Sequence, residues 1–298
     1  MEFSIIIKKQ GIFYFFVQNL SEWHFSCRKD YNKIWLEELG SLSKKEKTAL
    51  QKLKKVHQEY SFGQSYLGRY FFLKRNPWKN IENEMPKSDF IIIKNTFSVL
   101  KEKFESFYKK ELPLLKNWQT HLNKKINNPK LINPILKKLN NLYNGNIKSQ
   151  KIKIYLLPST DKAAGGGAGL NKKAITLEIS RISLEQLNRV IGIIWHEVIH
   201  LLFEKVYFHP LLKRKFPQDR DAISLIKEAT ASSLFPGGIL SKKFLKRLAL
   251  PLNRNLPAKE SKQVLSLAAL YVKKNKHFDI RYINKLYSLL YKLKGILR

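Results

Sequence analysis

The amino-acid sequence predicts a mainly helical α+β fold. Helical patterns fill both ends of the chain, and two strand patterns lie together between them, an element order typical of this class. The chain has 298 residues, of which 44% are hydrophobic and 12% aromatic. That length and composition indicate a folded globular protein with one large domain or two smaller ones.

The N-terminal part of the chain, residues 1–125, is predicted to be helical. SKKEKTALQKLKKVHQEY begins with Ser43 and Glu46 at the spacing of a capping box and continues with Leu50 and Leu53 at a helical interval. DFIIIKNTFSVLKEKFESFYKKELPLLKNW is a second helical pattern, expected to break or kink at Pro113 because proline removes a helical hydrogen bond.

Two groups of prolines divide this part of the chain. KRNPWKNIENEMPKSD contains two prolines and is predicted to be a connector between helices. INNPKLINP, at residues 126–134, is predicted to be a domain boundary. We therefore expect a helical N-terminal region at residues 1–125 and a second domain at residues 126–298.

The second domain is predicted to begin with two strands and to continue with helices. KIKIYLLP and AITLEIS have strand patterns, and STDKAAGGGAGLNKK between them is expected to be a flexible turn. A helical pattern then runs from Ser183 for more than twenty residues, and another spans about 219–234, where PGG follows. Two or three further helices are expected towards the C-terminus.

The net charge of +33 is the most unusual global property of the sequence. Such a charge attracts nucleic acid, anionic lipid or acidic protein. Only 11 of the 56 basic residues are arginine, however, and nucleic-acid readers depend on arginine for bidentate contacts. We therefore expect a solvated cationic surface, with nucleic acid an open but not favoured partner.

Cysteine content and hydropathy predict the cellular compartment. A single cysteine, Cys27, excludes an internal disulfide framework and fits a reducing environment. The N-terminal apolar runs are interrupted by Lys8 and Lys9 without a cleavage site, and no stretch is long enough for a membrane span. We expect a soluble, cytoplasmic protein.

The segment IGIIWHEVIHLLFE, residues 191–204, carries the strongest functional signal. His196 and His200 are four residues apart, so a helix would present both imidazoles on one face to a Zn²⁺ ion. Glu197 follows at about 100° around the helix, where a general base for a metal-activated water would stand. Two core histidines are the alternative, but polar side chains inside an apolar run favour a metal site.

This HExxH segment resembles the signature of the zincin metallopeptidases, which implies a third protein ligand and a small sheet beside the motif helix. Phe203 and Val206 stand where the metzincin branch requires glycine and histidine, so that branch is excluded. A straight helix would hold Glu204 too far from a metal bound by His196 and His200.

Glu228, on a separate predicted helix, is the favoured third ligand and makes the arrangement similar to that of the gluzincins. Thermolysin-like enzymes have an aspartate four residues after that glutamate, but Ser232 occupies the position here. Asp221 is the candidate to replace that aspartate, and it is the third ligand in an aspzincin-like alternative.

The resemblance also implies an edge strand for substrate and a donor for the oxyanion. AITLEIS would be the edge strand, and AAGGGAG would line the cleft or form an ordinary hairpin loop. The candidate oxyanion donors lie after the motif and are Tyr207, Tyr271, His277 and Tyr282.

We therefore predict a zinc-dependent metallopeptidase, acting on a peptide or protein substrate, in which His196, His200 and Glu228 bind Zn²⁺ and Glu197 is the general base. One alternative is a DNA-associated, SprT-like zinc protease with His209 as third ligand, although Pro210 follows it. The other is a non-enzymatic, lysine-rich module that binds nucleic acid or other anions.

Overall fold

The structure is a computed structural model that describes residues 1–24, 27–60, 65–161, 164–171, 173–246 and 258–291. The strands are β1 (Glu2–Ile6), β2 (Lys151–Leu157), β3 (Gly165–Asn171) and β4 (Ala174–Glu178). The N-terminal helices are α1 (Lys9–Ser21), α2 (Lys29–Leu39), α3 (Lys44–Tyr60), α4 (Ser65–Leu73), α5 (Pro77–Glu84), α6 (Lys87–Ile126) and α7 (Pro129–Leu142). The C-terminal helices are α8 (Leu187–Val198), α9 (His209–Lys215), α10 (Arg220–Leu234), α11 (Ile239–Leu245), α12 (Ala258–Lys273) and α13 (Ile280–Tyr291). The predicted mainly helical α+β class is confirmed.

Within the described residues, the four strands form one mixed sheet in the order β1-β2-β4-β3. Strands β2 and β4 are parallel, with Lys153 opposite Ala174. Strands β3 and β4 are antiparallel, with Gly165 opposite Glu178. Both predicted strands are therefore present, and β1 is an addition that the sequence did not predict.

The glycine-rich segment differs from the sequence prediction in two ways. The sequence predicts a flexible turn there, but residues 165–171 form strand β3. Because β3 pairs with one side of β4 and β2 with the other, AITLEIS is an internal strand and the prediction of an edge strand there is wrong. Backbone hydrogen bonds to β4, rather than strand-forming side chains, hold this glycine segment extended.

The chain divides into two compact units. One consists of Met1–Ser4, Leu122–Ile152 and Leu184–Arg298, and the other of Ile5–His121 and Lys153–Ser183. The chain passes from one unit to the other at 4/5, 121/122, 152/153 and 183/184. Residues 153–183, however, group with the N-terminal helices rather than with the C-terminal ones.

Each unit has an aromatic core of its own. In the unit with the N-terminal helices, Phe16 of α1 stacks on Phe107 of α6 at 4.7 Å between ring centroids, and Trp35 of α2 lies 4.8 Å from Phe107. In the other unit, Phe278 lies 4.2 Å from Tyr282 and 5.3 Å from Tyr143. These rings are almost completely buried and supply much of the apolar surface removed from water.

The predicted capping box of α3 is confirmed, since Glu46 N donates to Ser43 Oγ at 3.2 Å and Ser43 N donates to Glu46 Oε2 at 2.7 Å. The predicted connector KRNPWKNIENEMPKSD instead contains helix α5, which has Pro77 in its first turn. Asn76 caps that helix by accepting a hydrogen bond from Lys79 N at 3.3 Å.

The expected break at Pro113 is also absent, because α6 runs without interruption from Lys87 to Ile126. Pro113 and Lys109 both lie on the exposed face of α6. The carbonyl that loses its helical partner can therefore be hydrated, and the helix continues. Among the helices of the described residues, none has the length and apolar character needed to cross a membrane.

Candidate metal centre

The HExxH motif lies where an α-helix changes into a π-helix. His196 and Glu197 are in the last turn of α8, and His200 lies near the start of a π-helix at Ile199–Phe208, which continues into α9. The predicted long helical run is therefore present, but its middle is not a regular α-helix. π-Helical segments are rare and frequently occur at functional sites.

Apolar side chains surround the motif on the other faces of the helix, as the sequence predicted. The buried ones are Ile191, Ile193, Ile194, Trp195, Val198, Ile199 and Leu201. His196 and His200 are each 13% exposed, whereas the Glu228 side chain is 48% exposed. The site is therefore shielded on the histidine side and open to solvent at Glu228.

Three predicted ligands converge at this site. His196 Nε2 and His200 Nε2 are 3.0 Å apart, His200 Nε2 is 3.1 Å from Glu228 Oε1, and His196 Nε2 is 3.4 Å from Glu228 Oε2. Zinc bonds of about 2.0–2.1 Å in a tetrahedral site would separate ligand atoms by about 3.3–3.4 Å. These three side chains could hold a metal ion, and their donor set fits zinc.

The backbone and charges around these ligands favour a bound cation. His196 Nδ1 is 3.1 Å from Phe235 O, so its N–H donates to that carbonyl and leaves the Nε2 lone pair for the cluster. Burial by itself would raise the pKa of Glu228, but contacts with His196 and His200 hold that pKa below its usual range. Burial would lower the pKa of His200, whereas contacts with Glu204 and Glu228 raise it to about 10.

Glu204 is a part of the site that sequence reasoning did not assign. It lies in the π-helix, is completely buried, and places Oε2 2.9 Å from His200 Nδ1. It is outside the group of three ligands, because its carboxylate contacts Nδ1 of His200 whereas the cluster forms at Nε2. In the sequence, Glu204 can be recognised as a lone carboxylate four residues after His200, directly after the apolar residues LLF.

The candidate general base, Glu197, follows His196 on α8 and is partly buried. Burial raises the pKa of its carboxyl group, and the neighbouring charges of His196 and His200 act in the opposite direction. Glu228 and Glu204 raise that pKa further. A carboxylate with a raised pKa beside a cation site is a better proton acceptor than an unperturbed one, as a general base requires.

Other candidates for metal binding are not brought to the cluster among the described residues. Asp221 is exposed in the first turn of α10, about 10 Å along the helix from Glu228. His209 begins α9, and no partner hydrogen-bonds to its Nδ1 within the described part of the chain. Ser232, which stands where thermolysin-like enzymes have an aspartate, is buried in α10.

The proposed oxyanion donors also lack contacts with the cluster in the described residues. The hydroxyl of Tyr271 is 3.4 Å from Asp279 Oδ1, and that of buried Tyr282 is 3.4 Å from Thr230 Oγ1. The rings of Tyr207 and His277 pack on each other at 6.0 Å. The source of oxyanion stabilisation is therefore not assigned to any of these four side chains.

Comparison with known proteins found no relative of this chain. No family model matches the chain, and no curated protein or solved structure is significantly similar to it. Function is therefore inferred from the site itself.

Proposed function

We propose that this protein is a zinc-dependent peptidase with His196, His200 and Glu228 as its metal ligands. The observation that supports this proposal is the convergence of two imidazole nitrogens and one carboxylate at 3.0–3.4 Å, with the carboxylate open to solvent. Three protein ligands with one open position are typical of catalytic zinc sites, whereas structural zinc sites have four.

The zinc ion, when bound, would polarise the carbonyl of the scissile peptide bond and lower the pKa of a water molecule. The protein would supply the proton transfers. Glu197 would accept the proton of the attacking water and then deliver it to the nitrogen of the departing amine. The apolar residues around α8 would exclude bulk water and strengthen these charge interactions.

The orientation of each ligand is also consistent with this role. Phe235 O accepts from His196 Nδ1–H, and Glu204 lies at His200 Nδ1, so both rings direct Nε2 towards Glu228. Contacts of this kind fix the tautomer and the ring orientation of histidine ligands. The half-exposed Glu228 side of the site is the side from which a substrate would enter.

The test is cleavage of a quenched-fluorescent peptide library by the zinc-reconstituted protein and by Glu197→Gln. We expect wild-type activity that a chelator removes and zinc restores, and a fall in kcat/KM of about 10²–10⁴-fold in the variant. Glu59→Gln, at an exposed position of α3, is the matched control and should retain activity. Full activity in Glu197→Gln would contradict the proposal.

The DNA-associated alternative has less support from the site. It requires His209 as the third ligand, and His209 does not belong to the ligand group found in the described residues. The net charge of +33 remains its one supporting observation. DNA binding that weakens steeply with salt would favour this alternative, whereas failure to bind DNA at moderate salt would exclude it.

A further inference from the structure

The metal centre has a second layer of charged contacts, formed by Glu204 and Lys227. Glu204 Oε2 lies 2.9 Å from His200 Nδ1 and 3.0 Å from Lys227 Nζ. The Glu204 side chain is 0% exposed and that of Lys227 is 27% exposed. Neither residue belongs to the HExxH motif or to the three-ligand group.

The burial of Glu204 requires both of its partners. An ionised carboxylate removed from water is costly unless opposite charges and hydrogen-bond donors compensate it. The imidazole of His200 and the ammonium group of Lys227 approach the same oxygen, Oε2, at ion-pair distance and offset part of that cost, whereas neither carboxylate oxygen has a hydrogen-bond partner of good geometry among the described residues. A leucine at position 204 would continue the apolar run at lower cost, so the retained carboxylate favours a role beyond packing.

The contact with Glu204 determines the orientation of His200. One ring nitrogen, Nδ1, faces Glu204, and the other, Nε2, faces Glu228 at 3.1 Å. With Nδ1 held on the buried side, rotation of the ring away from the ligand cluster would break the contact with Glu204. Glu204 therefore acts on the cluster through His200.

Lys227 adds a constraint on the third ligand. Lys227 and Glu228 are consecutive in α10, and consecutive helical residues are about 100° apart around the axis. Lys227 contacts Glu204, and Glu228 contacts His200, so α10 is connected to the π-helix at two adjacent positions. Two contacts in different directions restrict both rotation and sliding of α10 against the π-helix.

We propose that Glu204 and Lys227 are positioning residues that hold His200 and Glu228 in ligating geometry before the metal binds. This inference rests on the metal site of the proposed function. Because the pair already holds His200 and Glu228 in place, metal binding has to order fewer side-chain conformations, and the affinity for zinc is higher.

The test is the zinc dissociation constant, measured by competition with a chromophoric chelator, in Glu204→Gln and in Lys227→Met. Loss of Glu204 should weaken zinc binding by about 10–100-fold, the usual effect of removing such a partner. Removing the positive charge of Lys227 would by itself strengthen binding of a divalent cation. A weakening of about tenfold in Lys227→Met would therefore come from lost positioning.

Two further measurements separate positioning from other effects. Lys205→Met removes the same charge at an exposed residue next to Glu204, and it should not weaken binding. The visible spectrum of the cobalt(II)-substituted protein reports ligand geometry and should change in both test variants but not in Lys205→Met. If a single variant does not fold, Glu204→Gln/Lys227→Met carries the measurement, because it leaves no unpaired charge.

The outcomes distinguish this inference from the proposed function. Wild-type protein that binds no zinc would remove the proposed function and the inference together. Wild-type protein that binds zinc, with folded Glu204→Gln and Lys227→Met variants of unchanged affinity and spectrum, would overturn the inference alone. Weakened binding and an altered spectrum in both variants would support it.

Discussion

Gly192 of α8 lies directly against Pro236, so close that a Cβ atom on Gly192 would stand 2.8 Å from Pro236 Cα. Gly192 is one helical turn before His196, and Phe235, whose carbonyl accepts from His196 Nδ1, precedes Pro236. The missing side chain at Gly192 therefore allows the chain after α10 to approach α8 and orient a predicted metal ligand.

Gly192→Ala is expected to destabilise the protein and weaken zinc binding. Helix propensity alone would make alanine more stable by about 0.8–1.0 kcal/mol. The clash with Pro236 involves backbone and should instead cost about 1–3 kcal/mol, with displacement of Phe235 O from His196. Urea unfolding and zinc competition would measure both effects. A variant more stable than wild type, with unchanged zinc affinity, would contradict this account.

Arg181→Ala is expected to destabilise the unit that contains the N-terminal helices. Arg181 Nε donates to Glu111 Oε1 at 2.8 Å, and its two terminal nitrogens contact the carboxylate of Glu38. Glu111 is completely buried, and burial raises the pKa of its carboxyl group. Loss of the guanidinium would leave this buried carboxylate without its charged partner, at a cost of about 3–5 kcal/mol in the free energy of unfolding.

Urea unfolding of Arg181→Ala beside Arg75→Ala would check this prediction. Arg75 is exposed between α4 and α5, so its substitution should change the free energy of unfolding little. Equal stability of the two variants would show that the buried carboxylate of Glu111 does not depend on Arg181.

His57 is expected to make the protein less stable in mild acid. It is buried against Trp23 at 4.5 Å between rings, and burial lowers its pKa from 6.5 to about 4. Between these pH values the unfolded chain binds a proton that the folded protein excludes. Stability is therefore fully present above the unfolded pKa and falls, by about 3 kcal/mol in total, as the pH drops towards the folded pKa.

The measurement is the free energy of unfolding of wild type and His57→Phe between pH 7 and pH 4. The phenylalanine ring preserves the stacking on Trp23 and removes the titrating group, so the variant should lose less stability on acidification. His277→Phe, at an exposed histidine, is the control and should follow wild type. Parallel pH profiles for wild type and His57→Phe would contradict the assignment.

The sequence predicts correctly where α3 and α10 begin, because short-range hydrogen bonds determine those helix starts. The capping box at Ser43 and Glu46 marks the start of α3, and Asp219 caps α10 through Ala222 N at the position where that helix was expected to begin. These signals depend on hydrogen bonds within a few residues of the chain. They need no tertiary contacts, so the sequence alone was sufficient.

Features that depend on tertiary context could not be predicted in this way. Strand β3 is almost without strand-forming side chains and exists through its pairing with β4. Continuation of α6 through Pro113 depends on which face of the helix meets water. The spacing of His196 and His200 suggested the site, but the role of Glu204 depends on the π-helix and on the approach of Lys227 from α10.

Zinc content of the purified protein, determined by elemental analysis for wild type and Glu228→Ala, tests the central claim most directly. We expect one zinc ion per chain in wild type and strongly reduced occupancy in Glu228→Ala, with Glu59→Ala unchanged. Absence of zinc from the wild-type protein, even after reconstitution, would contradict it, as would full occupancy in Glu228→Ala.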